Sequence, residues 1–176
     1  MRLIQTLCSF LLFFSYCANA QVYEISGSPF ATEGAPLPAH IKTHGEKTIL
    51  IQPVQHMYGA YAANGKLIRW GIATAGAYQC RDSQDSCRTR TGQFRIYSLG
   101  DVGCISNKYD GAPMPYCMFF NGGQALHGSS DVQFDNISHG CIRLHVDDAK
   151  WLRYHFAEGP TAANHYRGTK IIVEAY

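Results

Sequence analysis

HGSSDVQFDNISHGCIRL, residues 127–144, is the stretch that the rest of the chain must hold in place. It combines one thiol (Cys141), two imidazoles (His127 and His139) and one guanidinium (Arg143). A thiolate is a nucleophile, an imidazole can activate it, and a guanidinium binds carboxylates. We therefore interpret Cys141 as an enzyme nucleophile.

Two histidines compete for the role of its base. His139 lies two residues before Cys141, so its ring is badly placed to face the thiol. His127 arrives from a different segment and can approach the thiol from the side, so we expect His127 to be the base. We expect His139 to be structural or to contact substrate. Gly140 permits a sharp turn, and the N–H groups of residues 139–141 can then converge as an oxyanion hole.

Arg143 carries a planar donor fork that suits a substrate carboxylate. The alternative to a thiol enzyme is a zinc site formed by His127, His139, Cys141 and His145. Its spacing differs from that of common zinc fingers, and it supplies a single thiolate. We therefore expect no metal and no cofactor.

Residues 1–20 have the pattern of an export signal. Arg2 precedes an apolar run, and Ala-Asn-Ala at 18–20 fits a cleavage site. The run is too short to span a bilayer as a helix. We expect a periplasmic or otherwise exported monomer that starts near Gln21 and crosses no membrane; a lipoprotein anchored at Cys17 is the alternative. The formal charge of +2 gives no argument for a nucleic-acid partner.

The cysteine count isolates one thiol. Five of the seven cysteines follow the expected cleavage site, and in an oxidising compartment an odd number indicates two disulfides and one free thiol. We favour Cys80–Cys87 and Cys104–Cys117, because each pair brackets a short polar loop. Cys141 is then the free thiol, although a bridged or buried Cys141 is the alternative.

The remaining chain predicts a mainly β domain over residues 47–176. Residues 21–46 are rich in Gly, Pro and Ala and predict an extended arm or linker. Asn64-Gly65 predicts a type I′ hairpin between strands at 57–61 and 66–74. A second hairpin over 114–127 delivers His127 to a strand end, with Phe120 either in the core or on a groove wall.

One main helix is expected over residues 147–158. Asp147 or Asp148 can cap its start, apolar residues recur at helical spacing, and Gly159-Pro160 ends it. A last strand is expected over 169–174. The predicted fold class is therefore mainly β, of β-sandwich type, with this helix packed against the sheet.

Several of these segments together resemble the L,D-transpeptidase catalytic domain family (YkuD-like). The matching motifs are TGQFRI at 91–96, MPY at 114–116, MFFNGG at 118–123, HG at 127–128, SHGCIRL at 138–144, DAKWL at 148–152 and GTKII at 168–172. The resemblance implies that the Gly128 carbonyl orients the base His127. It also implies an acylated Cys141, and we expect Ser138, Arg143 and Phe120 to contact substrate.

The resemblance further implies an acyl transfer on peptidoglycan stem peptides. In such enzymes the cysteine attacks the carbonyl of the third residue of a tetrapeptide, D-Ala leaves, and an acceptor amine resolves the acyl-enzyme. The known outcomes are 3→3 cross-links, attachment of an outer-membrane lipoprotein, and D-amino-acid exchange. The alternatives are an L,D-carboxypeptidase or peptidase on the same fold, and a non-catalytic wall-binding or host-contact module.

Three departures from the family pattern affect the acceptor rather than the reaction class. The spacer between His127 and Ser138 is ten residues, at the short end for the family. Arg90 stands where members often have Pro before Thr-Gly. The two cysteine-bearing loops also look particular to this chain.

Overall fold

The computed structural model describes residues 32–176. The expected signal peptide and the first part of the arm lie outside the described residues. Within them, the strands are β1 Thr48–Gln52, β2 Met57–Tyr61, β3 Leu67–Thr74, β4 Gly92–Arg95, β5 Ser98–Leu99, β6 Met118–Asn121, β7 Gln124–Gly128, β8 Ile142–Leu144 and β9 Lys170–Val173. They form one sheet in the order β4-β9-β1-β2-β3-β8-β7-β6-β5.

The sheet curls so that its two halves share one core. Phe94 of β4 and Phe120 of β6 come from distant positions in the strand order, yet their ring centroids are 5.4 Å apart. Ile49, Leu126 and Ile171 belong to the same buried cluster. The prediction of a mainly β fold with one main helix against the sheet is confirmed.

The first hairpin follows the sequence prediction except at its turn. β2 pairs antiparallel with β3, and the turn is closed by the Gly65 N–H, which donates to the Ala62 carbonyl (2.8 Å). Gly65 has a φ of +87°, whereas the φ of Asn64 is not positive. A type I′ turn needs both central residues at positive φ, so that part of the prediction is wrong.

The described part of the arm packs against the sheet. Leu37 is buried with Leu50, Tyr61 and Leu67 in a second apolar cluster. This cluster lies on the face of strands β1, β2 and β3 that points away from the main core. His40 forms a bridge to Lys66 at the start of the hairpin's return strand. Leu37 and the partly buried Ala35 and Ile41 therefore cover apolar surface of the sheet.

The helix is shorter and less regular than predicted. α1 spans Val146–Trp151 and continues as one π-helical turn, Leu152–Phe156. His145 is at the N-cap position, and no side chain caps the helix. Asp148 instead turns inward and pairs with Arg69 of β3 (Nη2–Oδ1 2.6 Å), which explains why it is not available as a cap.

Both predicted disulfides are present, Cys80–Cys87 and Cys104–Cys117. Cys141 is the cysteine left unpaired within residues 32–176. In the same part of the chain, no helix has the length and hydrophobicity that crossing a bilayer requires.

Candidate active site

Neighbouring strands β7 and β8 bring the thiol, the imidazole and the guanidinium together. The strands are parallel, with His127 opposite Arg143 and Leu126 opposite Ile142. Because side chains alternate along a strand, Leu126 and Ile142 enter the core. His127, Cys141 and Arg143 take the other face and line a pocket of about 200 Å³.

The His127 ring is held in one tautomer. His127 is buried, and its Nδ1 lies 2.9 Å from the Gly128 carbonyl. A carbonyl only accepts hydrogen bonds, so Nδ1 carries the proton and Nε2 of the neutral ring is left as a proton acceptor. Burial lowers the pKa of His127, and the nearby Arg143 lowers it further, whereas the Gly128 bond opposes the shift. The neutral, basic form is therefore favoured.

Cys141 lies just before β8 and is partly buried. Its Sγ is 3.7 Å from the Gly123 carbonyl. Burial raises the pKa of the Cys141 thiol, although Ala125 and Arg143 act in the opposite direction. The resting thiol is thus protonated at neutral pH, and attack requires a base to remove its proton.

The turn before Cys141 is held by its own serine. The Ser138 hydroxyl accepts the Gly140 N–H (3.1 Å) and donates to the Cys141 carbonyl. Ser138 is only 2% exposed and organises the turn, but it also borders the pocket, so its expected contact with substrate stays a prediction. Gly140 has a φ of +112°, which a residue with a side chain rarely adopts.

The engaged Gly140 N–H changes the expected oxyanion hole. Of the three N–H groups in the prediction, this one already has an acceptor in Ser138. The N–H groups of His139 and Cys141 remain the candidates for binding a developing oxyanion.

His139 connects the two disulfide loops instead of facing the thiol as a base. Its Nε2 is 3.1 Å from Asp82, inside the Cys80–Cys87 loop. Its ring centroid is 4.9 Å from that of Tyr109, inside the Cys104–Cys117 loop. His139 and Tyr109 both line the pocket, so the Cys104–Cys117 loop forms part of its wall, whereas the Cys80–Cys87 loop contacts the pocket residue His139 through Asp82.

Arg143 faces the pocket but already has a partner. Its Nη1 forms an ion pair with Asp131, which also lines the pocket. Sequence reasoning did not single out Asp131, although it lies four residues after His127 in the opening stretch. Any substrate carboxylate has to compete with Asp131 or share the guanidinium with it.

Two other predicted residues are elsewhere. Phe120 is buried in the main core beside Phe94 and is not among the residues that line the pocket. Of the two positions expected for it, the structure shows the core, and its contact with substrate stays a prediction. His145, part of the zinc alternative, is exposed at the start of α1. Within residues 32–176 no three His, Cys, Asp or Glu side chains are grouped as metal ligands would be.

The residues described above form a thiol-based site on a curled β-sheet. Comparison with known proteins identifies the family to which the chain belongs. Residues 46–173 match the model of the L,D-transpeptidase catalytic domain, which covers most of the chain. The chain therefore belongs to this family of enzymes. A search of curated protein sequences finds no match.

Solved structures agree on the fold. An L,D-transpeptidase from Xylanimonas cellulosilytica is 24% identical with a TM-score of 0.64; the alignment covers 82% of this chain and 68% of that one. The Stackebrandtia nassauensis enzyme is 18% identical with a TM-score of 0.59, covering 81% and 62%. L,D-transpeptidase 3 from Mycobacterium tuberculosis, with a faropenem-derived adduct, is 16% identical with a TM-score of 0.54, covering 74% and 60%. The chain thus spans less than two thirds of the last two.

Proposed function

We propose that this protein is an exported cysteine acyltransferase that acts on peptidoglycan stem peptides. The observation that carries the proposal is the pairing of a free thiol, Cys141, with a histidine whose tautomer is set by the Gly128 carbonyl, in one pocket. Membership of the L,D-transpeptidase catalytic domain family gives the substrate class. The two disulfides support an oxidising, exported location.

The first half-reaction forms a thioester. Nε2 of His127 takes the thiol proton of Cys141 as Sγ bonds to the carbonyl carbon of the third stem residue. The N–H groups of His139 and Cys141 stabilise the tetrahedral oxyanion. The intermediate collapses, the bond to the terminal D-Ala nitrogen breaks, and His127 returns its proton to that nitrogen.

The second half-reaction releases the product. An acceptor amine attacks the thioester carbonyl and gives a proton to His127. The C–S bond then breaks, and Sγ takes that proton back. The new amide is a 3→3 cross-link, a D-amino-acid exchange product or a bond to an outer-membrane lipoprotein; with water as acceptor the enzyme is instead an L,D-carboxypeptidase.

Arg143 is proposed to bind a carboxylate of the donor stem. Its side chain lines the pocket beside Cys141 and remains one-fifth exposed even when paired with Asp131. A guanidinium has five donors, so the ion pair leaves others for a ligand.

Intact-protein mass spectrometry with a carbapenem tests the proposal. We expect a single adduct on Cys141 of the disulfide-intact protein, none on Cys141→Ala, and strongly slowed formation on His127→Gln. A folded protein that stays unmodified contradicts the proposal.

Purified tetrapeptide muropeptides then separate transfer from hydrolysis. Joined or exchanged products support transfer, whereas trimmed tripeptides alone identify the carboxypeptidase. If Cys141→Ala replaces the wild-type protein in cells without a change in phenotype, the non-catalytic wall-binding or host-contact alternative is correct.

A further inference from the structure

The Tyr176 hydroxyl group bonds to backbone that supports the turn before Cys141, the proposed nucleophile. The Tyr176 hydroxyl donates to the Gly76 carbonyl (2.6 Å) and accepts the Thr89 N–H (2.8 Å). The Tyr176 ring is fixed as well: the Arg88 guanidinium lies 4.7 Å from its centroid and 4.5 Å from that of Tyr78. None of these residues lines the pocket.

The first path from this hydroxyl leads to the N–H of His139. A peptide unit is planar, and its C=O and N–H point in opposite directions. The Gly76 carbonyl, held by Tyr176, therefore sets the direction of the Ala77 N–H, which donates to the Ser138 carbonyl (3.0 Å). The Ser138 carbonyl in turn belongs to the same peptide unit as the N–H of His139.

The second path leads to the N–H of Cys141. Tyr176 holds the backbone of Thr89, whose side chain is buried. Thr89 Oγ1 accepts the Gly76 N–H (2.9 Å) and donates to the Gly140 carbonyl (3.0 Å). That carbonyl shares its peptide unit with the N–H of Cys141, so its bond to Thr89 fixes the direction of this donor.

Close packing leaves little room for either path to relax. A Cβ added to Gly76 would lie 1.9 Å from the Cys87 carbonyl oxygen and 2.9 Å from Gly140 Cα. The Cys80–Cys87 disulfide closes the loop that ends beside these atoms. We therefore expect a displacement at Tyr176 to shift the turn at Gly140.

We propose that Tyr176 is a positioning residue that orients both candidate oxyanion donors, the N–H groups of His139 and Cys141, through the Gly76–Ala77 peptide and through Thr89. The inference rests on the proposed function, because it concerns the stabilisation of a tetrahedral acyl intermediate. It assigns a role in the reaction to a side chain outside the pocket.

Tyr176→Phe tests the inference, because it keeps the ring and removes the hydroxyl. Two reactions of Cys141 are compared: acylation by a carbapenem, which passes through an oxyanion, and alkylation by iodoacetamide, which does not. We expect the acylation rate to fall by roughly tenfold to a hundredfold, part of the loss seen when a whole oxyanion donor is removed. The alkylation rate is expected to stay within about twofold.

Tyr78→Phe is the matched control. It removes a hydroxyl from the neighbouring exposed tyrosine, whose ring centroid is 5.6 Å from that of Tyr176, and we expect wild-type acylation. Thr89→Ser keeps the donor to Gly140 and should retain most of the acylation rate, whereas Thr89→Val should lose it.

Each outcome either supports or overturns the positioning role of Tyr176. Wild-type acylation by Tyr176→Phe, or parallel loss of both reactions, overturns the positioning role, because the second pattern is that of general destabilisation. If the folded wild-type protein is not acylated at all, the proposed function fails and the inference fails with it. Acylation of the wild type with no selective effect of Tyr176→Phe refutes the inference alone.

Discussion

Two arginine–aspartate pairs with similar N–O distances, 2.6 and 2.5 Å, have different surroundings. Arg69 and Asp148 join β3 to α1 with side chains 6% and 9% exposed. Arg143 and Asp131 join β8 to the loop after β7 with side chains 20% and 50% exposed. Burial decides what each pair can do, because a buried pair cannot be exchanged for water or ligand, whereas a half-exposed pair can.

The buried pair is part of a larger cluster. Arg69 Nε is also 3.3 Å from the Tyr58 hydroxyl, and its guanidinium lies 5.0 Å from the Trp151 ring centroid. Burial raises the pKa of Tyr58 well above its ordinary value, and Asp148 adds to that shift. This cluster fixes α1 against the sheet; it contributes no residue to the active-site pocket.

The largest expected effect is on stability, from Asp148→Asn. The variant removes the carboxylate charge that faces the buried Arg69 guanidinium, so we expect a loss of about 3–5 kcal/mol in the free energy of unfolding. Urea unfolding with intact disulfides measures it. Asp131→Asn, at the exposed pair, is the control and should change stability by no more than about 1 kcal/mol. Equal losses in the two variants would contradict the comparison.

The second effect is on substrate use, from Arg143→Gln. If the guanidinium binds a donor carboxylate, we expect KM for that donor to rise by roughly tenfold to a hundredfold, the range of a charge-assisted hydrogen bond. Steady-state kinetics with a donor whose carboxylate is amidated gives the control. A similar rise in KM with both donors would show that Arg143 does not read the carboxylate.

The third effect is smaller and has the opposite sign. Asp131→Asn removes the internal carboxylate that pairs with Arg143, so we expect KM for the carboxylate donor to fall severalfold, in line with a weak exposed ion pair. The same kinetic assay measures it. An increase in KM would mean that Asp131 orients Arg143 instead of competing with the donor.

The smallest effect is a pH dependence of stability that comes from His127, the residue opposite Arg143 of the exposed pair. Burial, assisted by Arg143, lowers the folded-state pKa of His127, whereas the unfolded chain takes up that proton near the ordinary value of about 6.5. The His127 contribution to stability is thus present above about pH 6.5 and is lost as pH falls from there to the lowered pKa.

Urea unfolding at several pH values measures this effect in the wild type and in His127→Gln. The variant should lose this component of the pH dependence. Superimposable pH profiles would exclude His127 as its source.

The fold was largely predictable because its signals are local. Alternating apolar residues, Gly turns and the spacing of the cysteines predicted the hairpins, β9 and both disulfides. One error occurs where a side chain has a distant partner: Asp147 or Asp148 was expected to cap α1, but Asp148 pairs with Arg69, 79 positions earlier in the chain. Another error is local, because Asn64 lacks the positive φ that the predicted type I′ turn requires. The contact between Phe120 and Phe94 also depends on long-range structure, the curl of the sheet, and no local pattern predicts it.

The chemical groups of the site can be read directly from the sequence. A thiol, a histidine followed by glycine, and a Ser-His-Gly-Cys turn lie in one stretch, and the cysteine count isolates Cys141. The bond from the Gly140 N–H to Ser138 is local and spans two positions. The other partners depend on the folded chain, which pairs Arg143 with Asp131 and brings the Tyr176 hydroxyl to the Gly76 carbonyl. Strand register and curl bring these residues together, in the second case across 100 positions, and no local pattern encodes such contacts.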